Sequence, residues 1–261
     1  MNQKEAWVKS TVQKFILPDL RGKNALVTGS SCGIGLATVR GLLVNNANVF
    51  GLDRTESGLK NRRLTSIRCD LCDMSSILSA FDKISADVGS LDYVVNVAGM
   101  DPKYWIDEIA VEQWDDLLDL NLRAYYFVIK HALPLLRHGS GRSIVNVSSI
   151  NYRLGIPGRA PYSATKAGIL GLTTGLSREL GREGIRINAV TPGWIFTERQ
   201  VADYFTGKDG AKNLEYLAKQ QSIKLKISPA DIANHILFYL SNVSRASTGH
   251  NCIVDGGWIL E

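Results

Sequence analysis

Asn24-Ala-Leu-Val-Thr-Gly-Ser-Ser-Cys-Gly-Ile-Gly35 opens with the apolar character of a short buried strand and breaks into a turn holding three glycines. Residues 36–45 then carry a helical pattern. A glycine turn between strand and helix lets the backbone approach a ligand closely. The helix start supplies N–H groups and a positive dipole end, a combination suited to a pyrophosphate. A glycine cluster alone could be a plain turn. Here the next apolar run, 48–53, ends in Asp53, a carboxylate placed to accept hydrogen bonds from the hydroxyls of an adenosine ribose.

Working outward, the chain keeps alternating. Strands are expected at 66–70, 91–96, 143–148, 185–190 and 250–254. Helices are expected at 75–88 (capped by Ser75 or Ser76), 112–136, 162–183 and from Ser228, where Ser, Pro and Asp231 form a start signal. Continuously apolar strands separated by helices mean a parallel sheet covered on both faces, an α/β, doubly wound, Rossmann-like single domain. In such folds ligands gather at the carboxyl ends of the strands. Residues 21–261 form that domain in this reading. Residues 1–20 precede it, with Trp7, Val8, Val12, Phe15 and Ile16 spaced as an amphipathic packing helix, and 193–225 reads as irregular.

Composition excludes other classes. Of 261 residues 45% are hydrophobic and 21% charged, and the net charge of +5 is scattered apart from short groups such as 60–63 and 224–226. That distribution reads as solvated surface, and no nucleic-acid partner is expected. No run of about 18 apolar residues is present, so no membrane span is expected, and the polar first 14 residues lack a signal-peptide core. A cytoplasmic protein with reduced thiols follows. Cys69-x-x-Cys72 has no second pair and no nearby His, so no metal is expected, and Cys69 reads as a strand-end residue.

Three Tyr-x-x-x-Lys pairs occur: Tyr126/Lys130, Tyr162/Lys166 and Tyr204/Lys208. At this spacing a phenol and an ammonium share a helix face, where the cation favours the phenolate. The first lies in an apolar run that suggests core packing. The third lies in the irregular segment. Only Tyr162 opens a helix after a strand end, 13 residues beyond Ser149, across a loop holding Gly155, Pro157, Gly158 and Pro161.

Taken together, Thr28-Gly-x-x-x-Gly-x-Gly35, Asp70, Asn96-Val-Ala-Gly99, Asn121, Ser149, Tyr162-x-x-x-Lys166, Pro192-Gly193 and Asp255-Gly-Gly257 resemble the signature of the short-chain dehydrogenase/reductase family over roughly residues 20–258. Val97 departs from the second Asn usual there. The resemblance implies hydride transfer between a carbinol carbon and nicotinamide, with Asn121, Ser149, Tyr162 and Lys166 catalytic. Tyr162 would handle the hydroxyl proton, its pKa lowered by Lys166 and the oxidised nicotinamide. Ser149, rather than its neighbour Ser148, would bind the substrate oxygen, and Asn121 would position a water toward Lys166.

The cofactor residues implied are Gly29, Ser31, Cys32, Gly33, Ile34, Gly35, Asp53, Arg54, Asp70, Leu71, Asn96, Ala98, Gly99, Tyr162, Lys166, Pro192, Gly193, Ile195 and Thr197. Asp53 favours NAD, since it would repel a 2′-phosphate; Arg54 keeps NADP open. The stretches 193–200 and 254–258 look like members that oxidise aldoses at C1, with Asn151, Trp194, Glu198 and Arg199 available to a polyhydroxylated ligand. The alternatives are a dehydrogenase or ketoreductase of a non-sugar alcohol and an inactive NAD-binding sensor. The family's habit, together with Ala164, Ala167, Gly168 and Gly171, implies a homotetramer.

Overall fold

The computed structural model describes residues 15–260. Seven strands form one all-parallel sheet: β1 (Asn24–Thr28), β2 (Asn48–Asp53), β3 (Leu64–Arg68), β4 (Tyr93–Asn96), β5 (Ser143–Val147), β6 (Arg186–Pro192) and β7 (Asn251–Val254), in the order β3-β2-β1-β4-β5-β6-β7. The doubly wound architecture is the one expected. Side chains alternate across the sheet with the two-residue period of a strand. In β1, Leu26 joins one core layer, whereas Ala25 and Val27 join the other.

The first layer packs under α2 (Met74–Asp87) and α4 (Ala124–His138), through Ile77, Phe81, Ile84, Val128, Ala132 and Leu136. The second packs under α1 (Gly33–Val44) and α9 (Pro229–Leu240), through Val39, Leu42, Ile232, Ile236 and Leu237. The order reverses between β1 and β4, so a crevice opens at their carboxyl ends. Among the described residues, no helix is long and apolar enough to cross a membrane.

Several local expectations are corrected. The edge strand β3 runs 64–68 rather than 66–70. Its register with β2 starts at Leu64, and Asp70 has already left the sheet to donate its N–H to Ser76 Oγ at 2.9 Å. That engages Ser76, so α2 is capped by Asp73, whose carboxylate accepts from Ser75 N at 2.9 Å; a charged cap also meets the helix dipole. The long helix expected at 112–136 is α3 (Val111–Leu118), a π-helical turn (Asp119–Arg123) and α4. α5 (Asn151–Leu154) is a single turn, and α6 (Ala160–Gly181) begins two residues before Tyr162, with Pro161 in its first turn.

The segment expected to be irregular holds two helices, α7 (Glu198–Tyr204) and α8 (Gly207–Gln220). Two glycines fall at the start of α8. Gly207 takes φ +68° at the helix start, and Gly210 fits where a Cβ would lie 2.7 Å from the Phe205 carbonyl oxygen. The Ser228 capping box with Asp231 stands as expected.

Of the N-terminal amphipathic pattern, Trp7, Val8 and Val12 lie outside the described residues. Phe15 packs on the core but is not helical, and Ile16 is 57% exposed. Leu17 and Leu20 are buried, and Asn45 holds this entry segment by accepting from Leu17 N and donating to the Phe15 carbonyl.

Candidate active site

The turn after β1 is built for a close approach. A Cβ at Gly35 would lie 1.9 Å from the Gly29 carbonyl oxygen, and one at Gly29 would meet the Ala98 backbone at 2.8 Å. Gly29 and Gly33 take φ values of +65° and +52°, where side chains are strained. Cys32 sits exposed at the N-cap of α1, and Ile34 borders the central cavity. Asp53, at the end of β2, accepts from Ser31 N at 3.0 Å and from Thr55 N at 3.1 Å, so the carboxylate is anchored beside the turn. Arg54 is exposed next to it.

Thr28 Oγ1 accepts from the N–H groups of Val97 and Ala98, which ties the turn after β4 to β1. Asn96 is fully buried; its Nδ2 donates to Asn146 while its Oδ1 has no partner. Asp70 is exposed, with one carboxylate oxygen accepting from Cys72 N, and the Leu71 side chain is packed in the core. A glycine cradle, an anchored acid and an orphaned buried acceptor together fit a dinucleotide.

A cavity of about 580 Å³ opens beyond this turn, bordered by Gly99, Ser149, Tyr162, Lys166, Trp194 and Thr197 among others. Pro192, Gly193 and Ile195 also line it. The two adjacent serines part company here. Ser148 Oγ donates to the Lys166 carbonyl at 2.8 Å and is buried. Ser149 borders the cavity together with Tyr162, and its Oγ accepts from Asn151 N at 3.3 Å.

Lys166 is 3% exposed, donates from Nζ to the Val147 carbonyl at 3.0 Å, and lies over the rings of Tyr125 and Tyr162. Burial lowers its pKa to about 8. Burial also pushes the Tyr162 phenol up to about 12, opposed in part by the nearby Ser149 hydroxyl. Desolvation of the phenolate outweighs the attraction of nearby cations.

Asn121 occupies the π-helical turn and is fully buried. Its Oδ1 accepts from Met100 N at 2.9 Å, and its Nδ2 donates to the Met100 carbonyl at 2.8 Å. The amide thus fastens the loop after β4 to the helix carrying it. The other two Tyr/Lys pairs fall away. Tyr126 is 46% exposed rather than packed in the core, which Tyr125 occupies instead. Tyr204 ends α7 and borders the cavity, where its hydroxyl accepts from Arg159 Nη2 at 3.1 Å.

Of the expected substrate residues, Asn151, Trp194 and Arg199 border the cavity. Glu198 does not: it faces a separate groove with Gly33, Arg40 and Ser228, since successive residues of α7 point to different sides. Sequence reasoning missed Asp101, Arg159 and Gln200. Asp101 pairs with Arg159 (3.4 Å) and with Arg199, and accepts from Gln200 Nε2 at 3.3 Å; Gln200 in turn accepts from Trp194 Nε1 at 2.8 Å. Arg159 stands at the N-cap of α6, ahead of the helix expected from Tyr162, so helical spacing did not reach it.

A nucleotide cradle at the sheet's switch point, leading into a cavity lined by Ser149, Tyr162 and the buried Lys166, defines an oxidoreductase of the nicotinamide-dependent kind acting on CH–OH groups. The family described as enoyl-(acyl carrier protein) reductase matches residues 29–259. A probable galactose dehydrogenase of Rhizobium meliloti is 36% identical over 95% of this chain and 99% of its own length. D-xylose 1-dehydrogenase of Caulobacter vibrioides is 32% identical, over 93% and 98%. The ligand-free aldohexose dehydrogenase of Thermoplasma acidophilum superposes with a TM-score of 0.85 at 27% identity, covering 93% of this chain and 96% of that one. The chain belongs to the short-chain dehydrogenase/reductase family.

Proposed function

We propose that this protein oxidises an aldose at C1, with NAD preferred over NADP. The observation that carries the reading is the meeting of Ser149, Tyr162 and Lys166 on one cavity wall, with the buried Lys166 ammonium beside the Tyr162 ring. Both hydroxyls can reach one substrate oxygen. Ser149 holds that oxygen and stabilises charge developing on it. Tyr162 takes or returns its proton, and Lys166 keeps a positive charge beside the phenol.

Nicotinamide, when bound, supplies the hydride acceptor. Gly29, Ser31, Cys32, Gly33 and Gly35 would hold its pyrophosphate, and Asp53, with Arg54 turned to solvent, the adenosine ribose. Asp70 and Leu71 would border the adenine, and Asn96, Ala98 and Gly99 the ribose beside it. Ile34, Pro192, Gly193, Ile195 and Thr197 would enclose the nicotinamide end. The anchored Asp53 carboxylate supports NAD, since a 2′-phosphate would meet its charge. Asn121, in a widened helical turn of the kind frequent at functional sites, would hold a water on the Lys166 side.

Trp194, Asn151 and Arg199 support a polyhydroxylated substrate, as do the sugar dehydrogenases among the relatives. The aliphatic wall of Leu154, Ile156 and Pro157 favours a second reading, a non-sugar secondary alcohol. Formation of reduced nicotinamide with a panel of aldoses and secondary alcohols, run with NAD and with NADP, separates them: aldose turnover with NAD is expected, and turnover confined to non-sugar alcohols would contradict it.

In assembly we propose a homotetramer in the cytoplasm. Exposed Ala164, Ala167 and Gly171 on α6 support close helix approach between subunits. Gly168 does not contribute, because its missing Cβ makes room for Leu122 of the same chain.

A further inference from the structure

The far wall of the cavity is cationic. Among the described residues, Lys103, Arg159, Lys166, Arg199 and Lys212 border the cavity, against the single carboxylate of Asp101. Asp101 sits between two guanidiniums, so the Arg159/Asp101/Arg199 trio retains one net positive charge. Arg159 is only 6% exposed, and its Nη1 makes no hydrogen bond even though Asp101 lies 3.4 Å away. A buried guanidinium left short of a partner is unfavourable unless a ligand supplies the acceptor. Its position is fixed, because Nη2 donates to Tyr204 and its backbone stands at the N-cap position of the helix that carries Tyr162.

We infer that the substrate is a sugar acid whose carboxylate is received by Arg159 and Arg199 while its reacting carbinol lies against Ser149 and Tyr162. This rests on the sugar reading above and narrows it. The planar guanidinium fork matches a carboxylate. Asp101 at the same spot disfavours a dianion, so a carboxylate monoanion fits better than a phosphate ester. A neutral aldose would offer that donor only hydroxyl oxygens, weaker acceptors than a carboxylate.

The test compares kcat/KM for matched pairs, D-galacturonate against D-galactose and D-glucuronate against D-glucose, with the hexose 6-phosphates as a third arm, on the full chain with NAD. The uronates should exceed the neutral sugars by about tenfold or more, an advantage that shrinks as salt rises. Arg159→Gln should collapse that ratio, and Arg159→Lys, which keeps the charge, should restore part of it. Circular dichroism identifies a variant that has not folded, in which case the Lys variant and the wild-type ratio decide. Equal or better turnover of the neutral sugars, preference for the phosphates, or a ratio indifferent to Arg159 would overturn the inference. If no sugar is turned over at all, the sugar reading fails on its own. Calorimetric binding of D-gluconate to the enzyme with reduced nicotinamide then decides: Arg159-dependent binding upholds the anion subsite, and no binding overturns it.

Discussion

The Lys166 ammonium lies 5.7 Å from the centre of the Tyr162 ring, and burial drives the two groups toward their neutral forms from opposite sides. The lysine is held near about 8 and the phenol near about 12. Each shift is a desolvation penalty on a charge that the reaction needs.

Stability should record the lysine directly. Its folded pKa of about 8 lies below the ordinary value of 10.5, so between these limits the unfolded chain binds more protons and stability rises with pH. Below about pH 8 the penalty is fully present. Lys166→Met should therefore gain stability relative to the wild type at neutral pH, with the difference shrinking toward pH 10.5. Paired denaturation curves across that range check it; a difference independent of pH would contradict the burial of this charge.

Asn121 separates structure from chemistry. Its amide satisfies both the N–H and the carbonyl of Met100. Asn121→Ala should destabilise the fold by about 2–4 kcal/mol, because buried polar groups are left unpaired, and should lower turnover as well. Denaturant titration reads the first effect.

The two serines should behave differently. Ser149→Ala removes the hydroxyl that faces the cavity and should lower kcat by about 10²–10³-fold. Ser148→Ala removes a bond to the Lys166 carbonyl and should cost about 1 kcal/mol of stability. Equal kinetic effects would mean that the wrong serine has been assigned.

Cofactor choice should turn on Asp53. With the carboxylate removed in Asp53→Ala, kcat/KM for NADP should rise relative to NAD by about tenfold or more, and a ratio that stays put would dissociate Asp53 from the ribose.

What could be read from the chain is what backbone and short spacing dictate. The glycines of 29–35 announce their turn because no other residue fits it, and Tyr162 and Lys166 announce a shared face because one helical turn joins them. The Asp101–Arg199 pair joins residues 98 apart, through a loop and a helix whose meeting depends on the whole sheet. The same holds for Tyr204, which looked irregular until α7 and α8 closed over the cavity. The Tyr162 pKa also resisted local reasoning. Arg159 and Lys166 lie close to it in sequence, but desolvation by the surrounding fold outweighs their attraction.

The central claim, that the Tyr162 hydroxyl carries the proton of the reaction, is tested most directly by Tyr162→Phe. Turnover should fall by about 10²–10⁴-fold, while the fold and the affinity for NAD stay close to the wild type, since the ring remains and only one oxygen is lost. Undiminished turnover in a folded, NAD-binding variant would contradict the account.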